Sequence, residues 1–175
     1  MGTLATAMIE LNLIGVRLEL PTQSPIVLLR EREGGREGGR YLPIWIGQNE
    51  AHAIALAQQG IPTPRPLTHD LMKSLLDETG VHVDRIVITE LRDGIFYAVI
   101  QMSRNGSRFE VSSRPSDAIA LAVRASVPIF ANDEVLTEAA IDVPEGEEEE
   151  EEVEKFREFL ENVQPEDFMP PGTSS

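Results

Sequence analysis

Cysteine is absent from these 175 residues, so disulfides, thiolate nucleophiles and cysteine-held zinc or iron–sulfur clusters are excluded. Any metal would have to sit on carboxylates and histidines. Long apolar runs are absent too: nothing approaches the roughly 18 residues of a membrane span. Residues 1–7 are small and uncharged, without the basic segment and apolar stretch of a secretory leader. The expectation is a cytoplasmic protein with no membrane partner. No GxGxxG, P-loop, GxSxG or HExxH pattern occurs, which disfavours nucleotide-cofactor enzymes and serine hydrolases.

Basic charge is scarce, with 15 Lys and Arg against 30 Asp and Glu and a formal net charge of -15. The excess is uneven. Residues 142–175 hold 13 acidic and 2 basic side chains, or -11, which leaves only -4 for residues 1–141. The body of the chain is mildly acidic and has no basic run of the kind that marks a duplex-binding groove.

A hydrophobic content of 41% is ordinary for one globular core. Ile9, Leu11 and Leu13 alternate with other residues, and the alternation resumes out of phase at Val16, Leu18 and Leu20. A phase slip at Gly15 predicts one long strand over Met8–Leu20 with a bulge. Ile26–Leu29 and Tyr41–Ile46 read as strands on either side of a doubled Arg-Glu-Gly-Gly loop at residues 32–39.

Asn49–Gln59 turns helical, with Ala51, Ile54, Ala55 and Gln58 on one face and Gly60 as its stop. After Pro62, Pro64 and Pro66, Thr68 is the expected N-cap of a second helix whose core face is Leu71, Leu75 and Leu76, with Leu67 and Met72 as a staple. Val83–Leu91, Ile95–Met102 and Ser107–Ser112 predict a three-stranded meander turned by Asp93-Gly94 and Asn105-Gly106. A third helix starts near Arg114-Pro115 and buries Ala118, Ile119, Leu121, Ala122 and Ala125. A short apolar piece at Pro128–Phe130 and a helical turn near Asp133 follow.

These elements predict a single α+β domain, with a mixed or antiparallel sheet and about three packed helices. The expected divisions are an extension at 1–7, the domain at 8–141, and an acidic tail at 142–175. In that tail Val153, Phe156, Phe159, Leu160 and Val163 mark a small amphipathic helix.

Three segments put polar side chains at helix starts: Gly47–His52, Arg65–Asp70 and Ser113–Asp117. A metal-assisted phosphodiester hydrolase needs carboxylates to hold Mg²⁺ or Mn²⁺, a group to orient or deprotonate water, and cations for the phosphoryl oxygens. Glu50, Asp70 and Asp117 suit the first need, His52 or His69 the second, and Arg65 and Arg114 the third, with Ser116 beside them. Each also has an ordinary structural reading. First-turn carboxylates are favoured by the helix dipole alone. Arg65–Asp70, Arg114–Asp117 or crossed ion pairs would account for four of these residues. His82 reads as structural, and Trp45, between Ile44 and Ile46, as core or subunit interface.

Taken in order, Leu42-Pro43-Ile44-Trp45-Ile46-Gly47 leading to Glu50-Ala51, then Arg65-Pro66-Leu67-Thr68-His69-Asp70-Leu71, then Ser113-Arg114-Pro115-Ser116-Asp117 and the following Ala118–Ala122, resemble the bifunctional nuclease domain over about Met8–Leu136. The resemblance implies a compact α+β domain, hydrolysis of DNA and RNA, and a self-associating homodimer, which suits long strands whose edges need cover. Glu50, His69, Asp70 and Asp117 would be catalytic, the three carboxylates would hold the metal, and Arg65, Arg114 and Ser116 would bind substrate. The competing expectation is a non-catalytic regulatory or interaction module whose acidic tail mimics nucleic acid or recruits a basic protein partner. A small-molecule pocket between the proline-rich connection and the third helix is a third.

Overall fold

Asp93 and Asn105 both adopt left-handed backbone, with φ of 52° and 50°, and the glycines after them follow at 76° and 81°. Two consecutive positive φ values make the tight turn whose twist matches paired strands, which is why Asp-Gly and Asn-Gly occupy these positions. They join β4 (His82–Arg92), β5 (Ile95–Arg104) and β6 (Ser107–Ser113) into the expected meander. The computed structural model describes residues 6–32 and 39–142. The doubled Arg-Glu-Gly-Gly loop for the most part, and the expected tail helix entirely, lie outside the described residues.

The N-terminal part forms a second meander of β1 (Met8–Glu19), β2 (Ser24–Glu31) and β3 (Arg40–Trp45). The phase slip in β1 is a real register shift between Leu13 and Gly15. The carbonyls of Leu13 and Ile14 accept hydrogen bonds from the Gln58 amide at 3.4 and 3.1 Å. Gln58 therefore serves the strand from an exposed position and is not part of its helix's buried face.

The two meanders join through β7 (Ile129–Asn132), which pairs antiparallel with β1 and parallel with β4. With β8 (Ile141–Asp142) on β3, the result is one mixed sheet in the order β6-β5-β4-β7-β1-β2-β3-β8. Four helices accompany it: α1 (Gln48–Gln59), α2 (Thr68–Glu78), α3 (Pro115–Ala125) and α4 (Asp133–Ala139). Thus the α+β reading stands, with one helix more than expected.

Helix α3 lies against both α1 and α2 and packs on β4 and β5. Its run Ala118–Ala122 is buried without a break, because its alanines let two helices and a sheet approach it together. Ile54, Ile86, Ile88, Leu29, Leu42 and Leu136 complete the centre of the core.

Two expectations need correction. Helix α2 begins at Thr68 itself, with Leu67 as N-cap, and its inner face is His69, Met72 and Leu76, while Leu71 and Leu75 are exposed. Two stripes of equal helical period compete in this sequence, and the buried histidine is what selects between them. Trp45 is 55% exposed and not in the core, since strict strand alternation sends it to the face opposite buried Ile44.

Candidate nucleic-acid-processing site

The N-caps of α1, α2 and α3 are Gly47, Leu67 and Arg114, none of which caps its helix through a side-chain hydrogen bond. In each case the third helical residue is acidic: Glu50, Asp70 and Asp117. A carboxylate there faces the free N–H groups and the positive end of the helix. Asp70 shows the arrangement directly, accepting the Leu67 backbone N–H at 2.8 Å. Glu50 folds back so closely over its helix start that a Cβ on Gly47 would collide with its Oε2.

The first turns of α1 and α3 meet at Arg114, and that of α2 joins them at Asp117. Its Nε donates to Asp117 Oδ2 at 2.7 Å, and its Nη2 to Asp117 Oδ1 and Glu50 Oε1, both at 3.1 Å. From behind, the buried His69 ring meets Asp117 Oδ1 at 2.9 Å. With Asp117 ionised, His69 Nε2 is the donor. The result is a chain of contacts, Glu50–Arg114–Asp117–His69, whose exposed member is the arginine, with 64% of its side chain accessible.

Burial pushes the Asp117 carboxyl up, but the hydrogen bonds from Arg114 and then His69 outweigh it and hold it below the usual aspartate range. The same bonds, from Asp117 first and Glu50 second, raise the pKa of Arg114 and keep it charged.

Asp70 is held apart from this chain. It pairs with Arg124 at 2.6 Å, and burial, the largest influence on its pKa, is again outweighed, here by Arg124 and the Leu67 N–H. Arg65, expected near it, is exposed, and its backbone carbonyl accepts from Thr63 Oγ1 at 2.6 Å. Of the ion pairs read from the sequence, Arg114–Asp117 forms, while Asp70 takes Arg124 in place of Arg65. Arg124 was not singled out, although a lone arginine four residues after Ala120 in an apolar helix was the available signal.

Ser116 is buried beside Arg114 at the start of α3. His52 is half-buried on α1 and His82 exposed at the start of β4. A small groove of about 290 Å³ lies between the proline-rich connection and α3, with Asp70 and Arg124 in its wall.

The donor set does not suit a resident divalent ion. Glu50 and Asp117 share Arg114 between them, and Asp70 faces elsewhere. Among the described residues no three acidic or histidine side chains stand where they could hold a metal.

Comparison with known proteins decides the family. The sequence profile of the bifunctional nuclease domain matches residues 27–144. The chain belongs to the bifunctional nuclease domain family. All of the Glu50–Arg114–Asp117–His69 chain falls within that match. A family relative, an uncharacterized protein of Mycobacterium tuberculosis (strain H37Rv), is 46% identical over 166 residues, covering 91% of this chain and 97% of the relative. Bifunctional nuclease 1 of Arabidopsis thaliana is 29% identical over 111 residues, 62% of this chain and 33% of the plant protein. Bifunctional nuclease 1 of Oryza sativa subsp. japonica is 31% identical over 94 residues, 52% of this chain and 28% of the plant protein. The plant proteins are thus similar to this chain over about a third of their own length. No described helix is long and apolar enough to cross a membrane.

Proposed function

We propose that this protein hydrolyses phosphodiester bonds of DNA and RNA at Arg114 and Asp117, with His69 and Glu50 in support. The observation that carries this reading is the exposed Arg114 guanidinium, laid across two carboxylates where three helix starts converge. A guanidinium matches two phosphate oxygens as well as it matches a carboxylate. An entering phosphodiester therefore competes for Arg114.

That exchange prepares the base. When Arg114 turns to phosphate, Asp117 loses the larger of the hydrogen-bonding influences that hold its pKa down, while the His69 bond and its burial persist. Its proton affinity rises. Asp117 then takes a proton from a water whose oxygen attacks phosphorus; the P–O bond breaks and solvent protonates the leaving oxygen. His69, donating to Asp117 Oδ1, positions the carboxylate. A divalent ion at Glu50 and Asp117 would have to displace Arg114, so no step here is routed through one.

The second reading is a non-catalytic interaction module, favoured by one observation: Glu50, Asp70 and Asp117 each already have a cationic partner, as an architectural network would. A cytoplasmic setting, and recruitment of a basic protein by the acidic tail, are proposals of the same standing.

The test is a cleavage assay of wild type and Asp117→Asn on single- and double-stranded DNA and RNA, with Mg²⁺, Mn²⁺ or EDTA, alongside circular dichroism. The nuclease reading expects cleavage by wild type and a loss of roughly 100-fold or more in the folded variant. Activity that survives EDTA fits the arginine-based route, and activity abolished by EDTA replaces it with a metal-based one. No cleavage by wild type, or equal cleavage by both, leaves the interaction module.

A further inference from the structure

The surface in front of Arg114 is a groove of about 590 Å³, within the usual range for sites that enclose a small ligand. One wall is apolar. Trp45, at the end of β3, is 55% exposed, and Ile95 with Phe96, from the start of β5, lies along the same groove. The indole N–H donates to Glu19 Oε2 at 2.9 Å, so the ring is held by its edge while more than half of its surface stays open. Exposure of this kind is costly for the one tryptophan in the chain.

The other wall is polar and consists of two helix starts, Gly47-Gln48 of α1 and Arg114–Ser116 of α3. Ser116 is only 6% exposed, lines the groove, and its hydroxyl has no hydrogen-bond partner among the described residues. As a lining residue, Ser116 brings a hydroxyl donor to the groove.

Free N–H groups at helix starts, a hydroxyl and a guanidinium suit phosphate oxygens. An exposed indole flanked by aliphatic and aromatic neighbours suits a nucleobase face. Both chemistries meet across one groove. We infer that it binds one unpaired nucleotide of a single strand, with the base stacked on Trp45 and its phosphate at Ser116 and Arg114. A paired base inside a duplex is covered on both faces by its neighbours and cannot reach Trp45 unless it is flipped out. The preferred substrate class is thus single-stranded or locally unpaired DNA and RNA. As a statement about the substrate this rests on the nuclease reading, whereas the binding itself can be measured without cleavage.

The lone tryptophan makes the test direct, because intrinsic fluorescence of the full-length protein reports on Trp45 alone. It is titrated with a short oligothymidylate, a hairpin duplex, thymidine monophosphate and inorganic phosphate, while cleavage is followed separately. The expected result is saturable quenching by the oligothymidylate, much weaker quenching by the hairpin or the mononucleotide, and none by phosphate. With a labelled oligothymidylate, Trp45→Leu should raise Kd by roughly tenfold. Ser116→Ala should raise it a few-fold with quenching retained. Trp45 is exposed, so its variant keeps the fold, which circular dichroism checks.

Equal quenching by the hairpin overturns the single-strand preference. Mononucleotide binding as tight as the oligothymidylate overturns the polymer and makes the ligand a free nucleotide. No quenching by a wild-type protein that cleaves single strands overturns the groove and leaves the nuclease reading intact. Quenching without cleavage of any substrate retains the groove and removes the nuclease reading.

Discussion

Arg124 in the last turn of α3 reaches Asp70 in the first turn of α2 at 2.6 Å, and also donates to the carbonyls of Ala120 and Ala53 at 2.8 and 3.1 Å. One side chain thereby joins all three helices beneath the candidate site. Its side chain is only 8% exposed, so its removal leaves the Asp70 carboxylate without its cationic partner and takes away an extra bond to α1. Arg124→Met should lower stability by about 3 kcal/mol in urea denaturation. Arg124→Lys should recover only part of it, because an ammonium cannot reproduce the planar fork.

Glu31, Asp70 and Asp117 are all held below the ordinary carboxylate range. Glu31 owes this first to its hydrogen bond from Arg40, at 2.9 Å, with burial opposing. A carboxyl whose pKa is lower folded than unfolded binds fewer protons in the native state. Its contribution is therefore complete above about pH 4.3 and is lost as pH falls through the folded value. The urea midpoint should fall steeply below that pH, and Asp70→Asn should reduce the slope. A slope unchanged in this variant would remove Asp70 from the acid response.

The two stripes of α2 should separate cleanly. Leu76→Ala, on the inner stripe, should cost about 2 kcal/mol, whereas Leu75→Lys, on the outer stripe, should stay within about 0.5 kcal/mol of wild type. Thermal melts of the two variants decide which face is packed.

Gly47→Ala and Glu50→Gln should behave alike, since a Cβ at position 47 expels the Glu50 carboxylate from its place beside Arg114. Arg114 is largely exposed, so both variants should remain within about 1 kcal/mol of wild type. Phosphate then displaces one carboxylate from Arg114 where it had to displace two, and KM for nucleic acid should fall. A raised KM would instead give Glu50 a direct part in binding substrate.

Self-association, expected from the resemblance, would find its opening at β6, an edge strand with Phe109 and Val111 exposed. Antiparallel pairing of two copies about Phe109 would set Arg108 opposite the partner's Glu110. Sedimentation should then show a dimer for wild type and a monomer for Val111→Lys. A dimer that persists in the variant would place the contact elsewhere.

The strands were legible because alternation and Asp-Gly or Asn-Gly turns are local signals, and even the bulge in β1 left its mark as a change of phase. The outer and inner stripes of α2 were not separable, because Leu71 and Leu75 obey the same period as buried His69 and half-buried Met72 and Leu76. Four of the candidate site residues, Glu50, His69, Arg114 and Asp117, were found as types at helix starts, and the structure brings them together. Which cation meets which carboxylate depends on how α3 lies between α1 and α2, and Arg65 against Arg124 is a choice no spacing encodes. Of the two readings of Trp45, the core one fails, because it let apolar neighbours outweigh the two-residue rhythm that sends the ring outward.

The sheet order has a consequence for the growing chain. Each meander can pair as soon as its own hairpins exist, but β7 alone stitches them together, and it follows α3 in sequence. A nascent polypeptide that stops before Ile129 has two separate ribbons, with α1 and α2 between them. The charged cluster needs the first turn of α3 against both earlier helices, and all of its residues precede the seam strand. Synthesis of this protein therefore supplies every residue of its candidate site before the strand that makes the two ribbons one surface.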